Sequence, residues 1–309
     1  MSPKKRFPDF VGIGATRGGS SWLHYVLAAH PDIWVTPVKE LHYYDRPMNG
    51  TFTFIKDPVR RNIRIKSYIK NMYDNTNQDG LLNTLAWDFK FFFNKRSEDW
   101  YKSLFAQAGN RIAGEVTPAY AILSRDAIAR MAEGNPGLKA VYMLRDPIER
   151  AWSSIVNGLA KKHKRSISDV SEEAILAKIK NTGFQARSNY AENIRRWRDV
   201  VGEERFFIGF FEDIKNQPHE LIERLCDFLG VRGVNLIPDE RLSKPRNSSR
   251  KFSAPMPPKV AFHLAKSLYP MIRDVQGLLG GNANQWLEDA ENILNGNYKI
   301  TGDTITTSY

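Results

Sequence analysis

The stretch GIGATRGGSSW, residues 12–22, sets glycines, one cation and two hydroxyls between an apolar run and a helical pattern. That chemistry suits an anion. Successive backbone N–H groups at a helix start make a positive pocket. Gly18 and Gly19 let a ligand approach the backbone, Ser20 and Ser21 add donors, and Arg17 adds a fixed charge with a planar fork. Gly14 and Gly19 have the spacing of the nucleotide-phosphate pattern G-x-x-x-x-G-K-[ST], and Ser21 is its hydroxyl. Ser20, however, stands where the lysine belongs, and the nearest cation, Arg17, lies earlier in the loop. An ordinary glycine turn is the competing reading. The strand-turn-helix setting favours the anion site.

Two further groupings carry reactive or charged side chains. In LRDPIERAWSS, Arg145 closes an apolar run and Ser153 follows two helical turns along. The plain alternative pairs Arg145 with Asp146 or Glu149 and leaves the serine to solvent. In KELHYYD, Glu40 and His42 are alternate residues, so an extended segment points them the same way. A surface pair with Lys39 and a packed imidazole are the plain alternatives there. GEVTPAY, residues 114–120, reads as a strand-ending turn, and KKHKR, residues 161–165, as a solvated loop. Arg250 and Lys251 lie in a basic, Pro/Ser-rich loop over 243–258. No cluster has metal-ligand spacing: His219 and Cys226 are seven apart and the other histidines are scattered.

These residues need strands and helices to hold them. Apolar runs predict strands over 8–15, 33–36, 111–117, 138–145 and 205–211. Helical patterns fall over 20–30, 123–134, 146–159, 187–201 and 217–230, with weaker ones near 259–273 and 284–294 and a polar tail after them. Trp22, Leu23, Val26 and Leu27 form one apolar face of the first helix, capped by Ser20 or Ser21 and stopped by Pro31. Asp146 reads as an N-cap with Pro147 at the first helical position. Strands alternating with helices predict an α/β fold with a parallel central sheet flanked by helices. Ligands in such folds sit beyond the carboxyl ends of strands. Residues 14–21, Glu115 to Pro118 and Arg145 to Pro147 all fall at such ends. The chain reads as a single domain over 1–309, with an aromatic, irregular insertion at about 46–100 placed near the site or over it.

Bulk composition bounds the partners. With 309 residues and 42% hydrophobic content, the chain can bury a full core. A net charge of +11 predicts an anionic partner without choosing among nucleotide, acidic glycan, nucleic acid and membrane surface. The single cysteine, Cys226, falls in an apolar helical pattern and excludes an internal disulfide, which fits a reducing compartment. No run approaches the ~20 apolar residues that span a bilayer, and the N-terminus lacks a signal-peptide core. A soluble, cytoplasmic protein is the expectation.

TRGGSSW resembles the 5′-phosphosulfate loop of sulfotransferases: a basic residue, here Arg17 where lysine is usual, then glycine, two hydroxyl residues and often tryptophan, here Trp22. The resemblance implies a P-loop-like fold and 3′-phosphoadenosine 5′-phosphosulfate (PAPS) as sulfuryl donor, with adenosine 3′,5′-bisphosphate (PAP) as product and no metal. Arg145 and Ser153 are similar to the family's 3′-phosphate motif, an arginine followed eight residues later by a serine. KELHYYD and GEVTPAY resemble stretches of the heparan sulfate-type carbohydrate enzymes. That likeness nominates Glu40 as general base, with His42 orienting substrate and standing as reserve base. In GEVTPAY, Val116 replaces a family lysine, which counts against a heparan-like acceptor. Arg250 and Lys251 match a basic loop that closes over the 3′-phosphate and adenine in relatives, and Ser188 and Tyr190 are weaker candidates for the nucleotide.

The expected reaction is transfer of a sulfuryl group to a hydroxyl- or amine-bearing acceptor, a saccharide or a small molecule, with no nucleic-acid partner; Arg17 and the loop amides are expected to stabilise charge on the transferring group and the leaving phosphate. Two rivals stand beside it. A P-loop kinase or NTPase is opposed by the missing lysine, and a polyanion-binding module by the lack of basic-aromatic interleaving.

Overall fold

The computed structural model describes residues 5–46, 80–243, 252, 254–301 and 304–307. Its centre is a five-stranded parallel sheet: β1 (Phe10–Gly14), β2 (Ile33–Val35), β3 (Ile112–Val116), β4 (Lys139–Leu144) and β5 (Phe206–Phe210), in the order β2-β3-β1-β4-β5. All five coincide with apolar runs in the sequence. β1 is buried at every position, because helices cover both faces and a central parallel strand has no solvent side. Phe10 registers against Gly114 of β3 on one side and Lys139 of β4 on the other.

Thirteen helices of α type surround or extend this sheet among the described residues. In chain order they are α1 (Ser20–Leu27), α2 (Gly80–Phe93), α3 (Glu98–Leu104), α4 (Arg125–Gly134), α5 (Pro147–Ile155), α6 (Glu172–Ile179) and α7 (Thr182–Ala186). Then come α8 (Tyr190–Val201), α9 (Phe211–Asn216), α10 (Pro218–Leu229), α11 (Asp239–Ser243), α12 (Pro258–Leu279) and α13 (Asn282–Leu294). One core cluster joins α4, α5, α8, α12 and α13 to the sheet through residues such as Ile128, Trp152, Trp197 and Trp286. A second lies under α1 and α10 and includes Trp22, Leu23, Leu225 and the buried Cys226. A third, aromatic cluster packs α2 and α3 on the edge of the sheet through Trp34, Tyr43, Trp87, Trp100 and Tyr101.

Several boundaries differ from the sequence pattern for physical reasons. Gly19, not a serine, is the N-cap of α1, and Ser20 is the first helical residue. Asp146 does cap α5, accepting from the Glu149 N–H at 2.6 Å. The helix then loosens into a π turn over Val156–Ala160. α12 runs through Pro270 to Leu279, because its apolar face continues in Ile272 and Val275 and outweighs the missing donor. The polar tail contains an antiparallel pair, Tyr298–Thr301 with Thr304–Thr307, rich in the β-branched residues that suit strands. Of the insertion, residues 47–79 lie outside the described part, and the rest is α2 and the start of α3. Among the described residues, no helix is long and apolar enough to cross a membrane.

The strand order fixes where a ligand can sit. β1 leads outward to β2, and β4 leads the opposite way to β5. The crevice between the carboxyl ends of β1 and β4 is therefore the switch point of the sheet. The loop at 15–19 and the corner at Arg145 open there.

Candidate active site

The loop after β1 is shaped by close packing. Gly19 has φ 98, and a side chain there would meet Ile214 Cδ1 at 2.6 Å. A Cβ on Gly18 would lie 2.8 Å from the Met143 carbonyl. Both positions therefore demand glycine. Arg17 itself has φ 70, a conformation that costs energy without glycine and recurs at ligand sites. The first N–H groups of α1 have no intrahelical carbonyl, and such groups can receive an anion. Trp22 turns its indole into the core instead, donating from Nε1 to the Leu242 carbonyl at 2.8 Å. Only its backbone remains for a ligand.

The two arginines meet in this crevice. Arg17 Nε donates to Ser153 Oγ at 2.9 Å, and Arg145 Nη1 lies 3.5 Å from the Arg17 carbonyl. Glu149 Oε2 accepts from Arg145 Nε at 3.1 Å and Nη2 at 2.8 Å, while the guanidinium lies 4.6 Å over the Phe211 ring. Tyr190 donates to the Arg145 carbonyl at 2.9 Å. Burial and the charge of Arg145 lower the pKa of Arg17. Lys161 feels the same field: burial and Arg17 lower its pKa. Like charges gathered in one crevice call for an anion between them.

On the other side of α1's N-terminus, the chain leaving β2 carries Lys39, Glu40 and His42. The Glu40 N–H donates to the Val116 carbonyl at 3.0 Å, so this segment is tied to the end of β3. Lys39 Nζ donates to Ser20 Oγ at 3.2 Å, Ser21 Oγ at 3.1 Å and Glu40 Oε1 at 3.3 Å. Glu40 Oε2 lies 3.5 Å from His42 Nε2, and His42 Nδ1 is 2.7 Å from Asp45 Oδ2. The segment is not extended: Glu40 has φ 66 and His42 φ 56. The two side chains come together through paired left-handed residues rather than through strand alternation. Burial pushes the Glu40 pKa up, but His42 and Lys39 outweigh it and pull it down to about 2. Burial lowers the His42 pKa while Asp45 and Glu40 raise it, and the net shift is upward. Arg96, from beyond α2, donates to the His42 carbonyl and fixes this segment to the insertion.

A model of the sulfotransferase family matches residues 8–234. The chain belongs to the sulfotransferase family. Mouse heparan sulfate glucosamine 3-O-sulfotransferase 3B1 is 24% identical over 236 residues, covering 74% of this chain and 48% of the mouse protein. Human heparan sulfate glucosamine 3-O-sulfotransferase 6 is 23% identical over 234 residues, covering 75% of this chain and 54% of the human one. The chain thus spans about half the length of these curated relatives. Among solved structures, a sulfotransferase from Alicyclobacillus acidocaldarius superposes with a TM-score of 0.60 at 23% identity, over 90% of this chain and 98% of that one. The sulfotransferase domain from the curacin biosynthetic pathway gives 0.51 at 19% identity, over 79% of each. Family membership leaves the kinase and polyanion-binding readings without support.

Within this member of the family, the other residues singled out in the sequence have clear places. Glu115 is fully buried and accepts from Tyr101 at 2.6 Å, Thr117 at 2.7 Å and Tyr120 at 3.2 Å. Burial raises its pKa against those three hydrogen bonds. GEVTPAY therefore braces the site: the Tyr43 N–H donates to Tyr120 Oη at 2.9 Å. Val116 fills the space a side chain on Gly12 would need, inside the core. Ser188 is buried and accepts from Arg150 at 2.6 Å, and Tyr190 is a core residue that holds Arg145 by its backbone. Neither is at the surface of the crevice. Arg250 and Lys251 lie outside the described residues. Sequence patterns missed two cations. Lys39 was readable only as a surface partner of Glu40, and Lys161 only as part of a charge run. Neither carries a motif offset that marks it.

Proposed function

We propose that this chain transfers a sulfuryl group from PAPS to an acceptor hydroxyl or amine, with a saccharide as the acceptor class. When bound, the donor supplies the sulfuryl group on its 5′-phosphate and two anchors, the adenosine and its 3′-phosphate. The observation that carries the reading is the meeting of Arg17, Arg145 and Ser153 beside the serines of α1. One crevice then offers cations to one phosphate and a helix N-terminus to another, as a bisphosphorylated nucleotide needs.

Each residue takes a role from its position. Arg145 and Ser153 grip the 3′-phosphate and fix orientation. Glu149 holds the Arg145 fork in place. Gly18, Gly19, Ser20 and Ser21 receive the 5′-phosphate end through backbone N–H groups and hydroxyls. Arg17 spans the two ends, its backbone in the cradle and its Nε on Ser153. Glu40 removes the acceptor proton. Burial lowers the proton affinity of His42 while Asp45 and Glu40 raise it to a net increase, and the two carboxylates fix its ring, so His42 orients Glu40 and stands as the reserve base. The acceptor class rests on the Glu-x-His-aromatic-aromatic-Asp segment and on the names of the heparan sulfate relatives.

Thermal unfolding with added ligand tests the donor class. A specific ligand at 100 times its Kd stabilises by about 2.7 kcal/mol. PAP is expected to raise Tm well above ATP or ADP at equal concentration. Equal or smaller shifts with PAP would remove the bisphosphate reading.

A further inference from the structure

A second arginine lies in the core near the Arg145 corner. Arg150, at the end of the first turn of α5, is fully buried. Its Nη2 donates to Ser188 Oγ at 2.6 Å, and its guanidinium lies 5.3 Å over the Phe184 ring. Nε and Nη1 are buried with no hydrogen-bond partner. Building on the sulfuryl-transfer reading of this site, we propose that Arg150 sets the affinity for the 3′-phosphate end of the donor from inside the core, through its charge and without touching the nucleotide.

In the free protein, the surroundings of Arg150 oppose its charge. Neither partner of the guanidinium is a carboxylate: Ser188 is neutral, and Phe184 offers a ring face. Burial lowers the pKa of Arg150, and the charges of Arg187 and Arg145 lower it further. Tyr142 and Tyr190 act the other way, but burial raises the pKa of both phenols and keeps them neutral. A cation in the first turn also opposes the helix dipole. A buried charge without an ion-pair partner costs stability.

The crevice gives this charge a use. Arg145 is paired with Glu149 at 2.8 Å, so the two together bring little net charge to the 3′-phosphate end. Asp146 beside them adds little negative charge, because burial and Glu149 push its pKa well up. Arg150 then tips the balance of this corner toward positive. A low-dielectric core screens a charge less than solvent does, so its field carries to the crevice. Arg145 already feels Arg150 as a like charge, and an anion seated on Arg145 would feel the same field as attraction. The 3′-phosphate is unchanged between PAPS, the transition state and PAP. Arg150 therefore strengthens the binding of all three alike and leaves the chemical step as it is.

The test compares Arg150→Gln, which keeps a donor for Ser188 but no charge, with Arg150→Met, Arg150→Lys and the unaltered chain. Calorimetry measures the affinity for PAP, adenosine 3′-monophosphate and adenosine 5′-monophosphate. Arg150→Gln and Arg150→Met should weaken PAP and the 3′-monophosphate by about 5–30-fold. The 5′-monophosphate should weaken by less than about threefold, because its phosphate lies at the far end of the crevice. Arg150→Lys keeps the charge and should hold PAP within about threefold. Single-turnover release of PAP from saturating PAPS, with water as acceptor, should keep its rate in every variant. Without ligand, the Tm of Arg150→Gln and Arg150→Met should be unchanged or higher. PAP affinity within about threefold of the unaltered chain in Arg150→Gln, or equal loss for the two monophosphates, would overturn the role of Arg150 and leave the crevice reading intact. So would a lower Tm of ligand-free Arg150→Gln, which would show that the fold itself needs the charge. Should Arg150→Met fail to fold, Arg150→Gln and Arg150→Lys decide by the same criteria. An unaltered chain that binds PAP no better than ATP would instead sink the sulfuryl-transfer reading.

Discussion

The proposed donor side and the proposed acceptor side of this crevice are built by different means. On the donor side, two strand-to-helix junctions present Gly18, Gly19, Ser20 and Ser21 after β1, and Arg145, Glu149 and Ser153 after β4. Each residue is placed by its offset from a strand end, although the loop after β1 also turns through left-handed Arg17 and Gly19. On the acceptor side, Lys39, Glu40 and His42 sit on irregular backbone with two left-handed residues. Distant side chains hold that segment: Tyr120 takes the Tyr43 N–H, and Arg96 reaches the His42 carbonyl. A scaffold of secondary structure can carry a recurring nucleotide grip, while a strapped loop can be retuned for a new acceptor by changing what braces it.

The sharpest way to separate the two sides is to damage each alone. Glu40→Gln keeps the shape of the segment but removes the proton acceptor. Its kcat should fall by about 10²–10⁴, with PAP affinity unchanged. Turnover within threefold of the unaltered chain would show that Glu40 is not the base. Arg145→Ala damages the donor side, and loss of hydrogen bonds to a charged phosphate should weaken PAP by about 10–100-fold. Unchanged affinity in a calorimetric titration would take Arg145 out of the site.

A smaller effect follows from charge. The Glu40 pKa lies near 2 because His42 and Lys39 favour its ionised form. Its folded pKa is thus depressed, so its contribution to stability is complete above the ordinary carboxylate range and is lost as pH falls toward about 2. For kcat/KM, Glu40 is already deprotonated well below pH 4.5, so no acid limb from this group should appear near that pH. A limb there, absent in Glu40→Gln, would mean that the two cations do not grip the carboxylate in solution.

Glu115 gives the smallest and opposite sign. Burial raises its pKa, so the folded state holds its proton more tightly than the unfolded chain does. Stability should therefore fall as pH rises from the unfolded carboxylate range through the raised value. Glu115→Gln should flatten that slope in a Tm-against-pH series. An unaltered slope would show that Glu115 is ionised without penalty and that its three donors dominate.

The same contrast explains what the sequence could disclose. All five strands were legible, because buried parallel strands are near-continuous apolar runs. So was the cap of α5, where Asp146 and Pro147 act through neighbours three residues away at most. Arg17 and Arg145 could be placed at strand ends by pattern alone. The contact of Arg17 with Ser153, and of Arg145 with the Arg17 carbonyl, needed the sheet order, which no local pattern states. Lys39 was hidden because its partners Ser20 and Ser21 lie on another element. Glu40 and His42 were rightly paired for a mistaken reason: turning backbone, not alternation, brings them together.

A crystal structure of the chain with PAP bound tests the central claim most directly. The account predicts the 3′-phosphate within hydrogen-bond reach, roughly 2.7–3.2 Å, of Arg145 and Ser153, and the 5′-phosphate against Ser20, Ser21 and the start of α1. A nucleotide bound away from the crevice between β1 and β4, or one touching only one of the two arginine-bearing junctions, would contradict it.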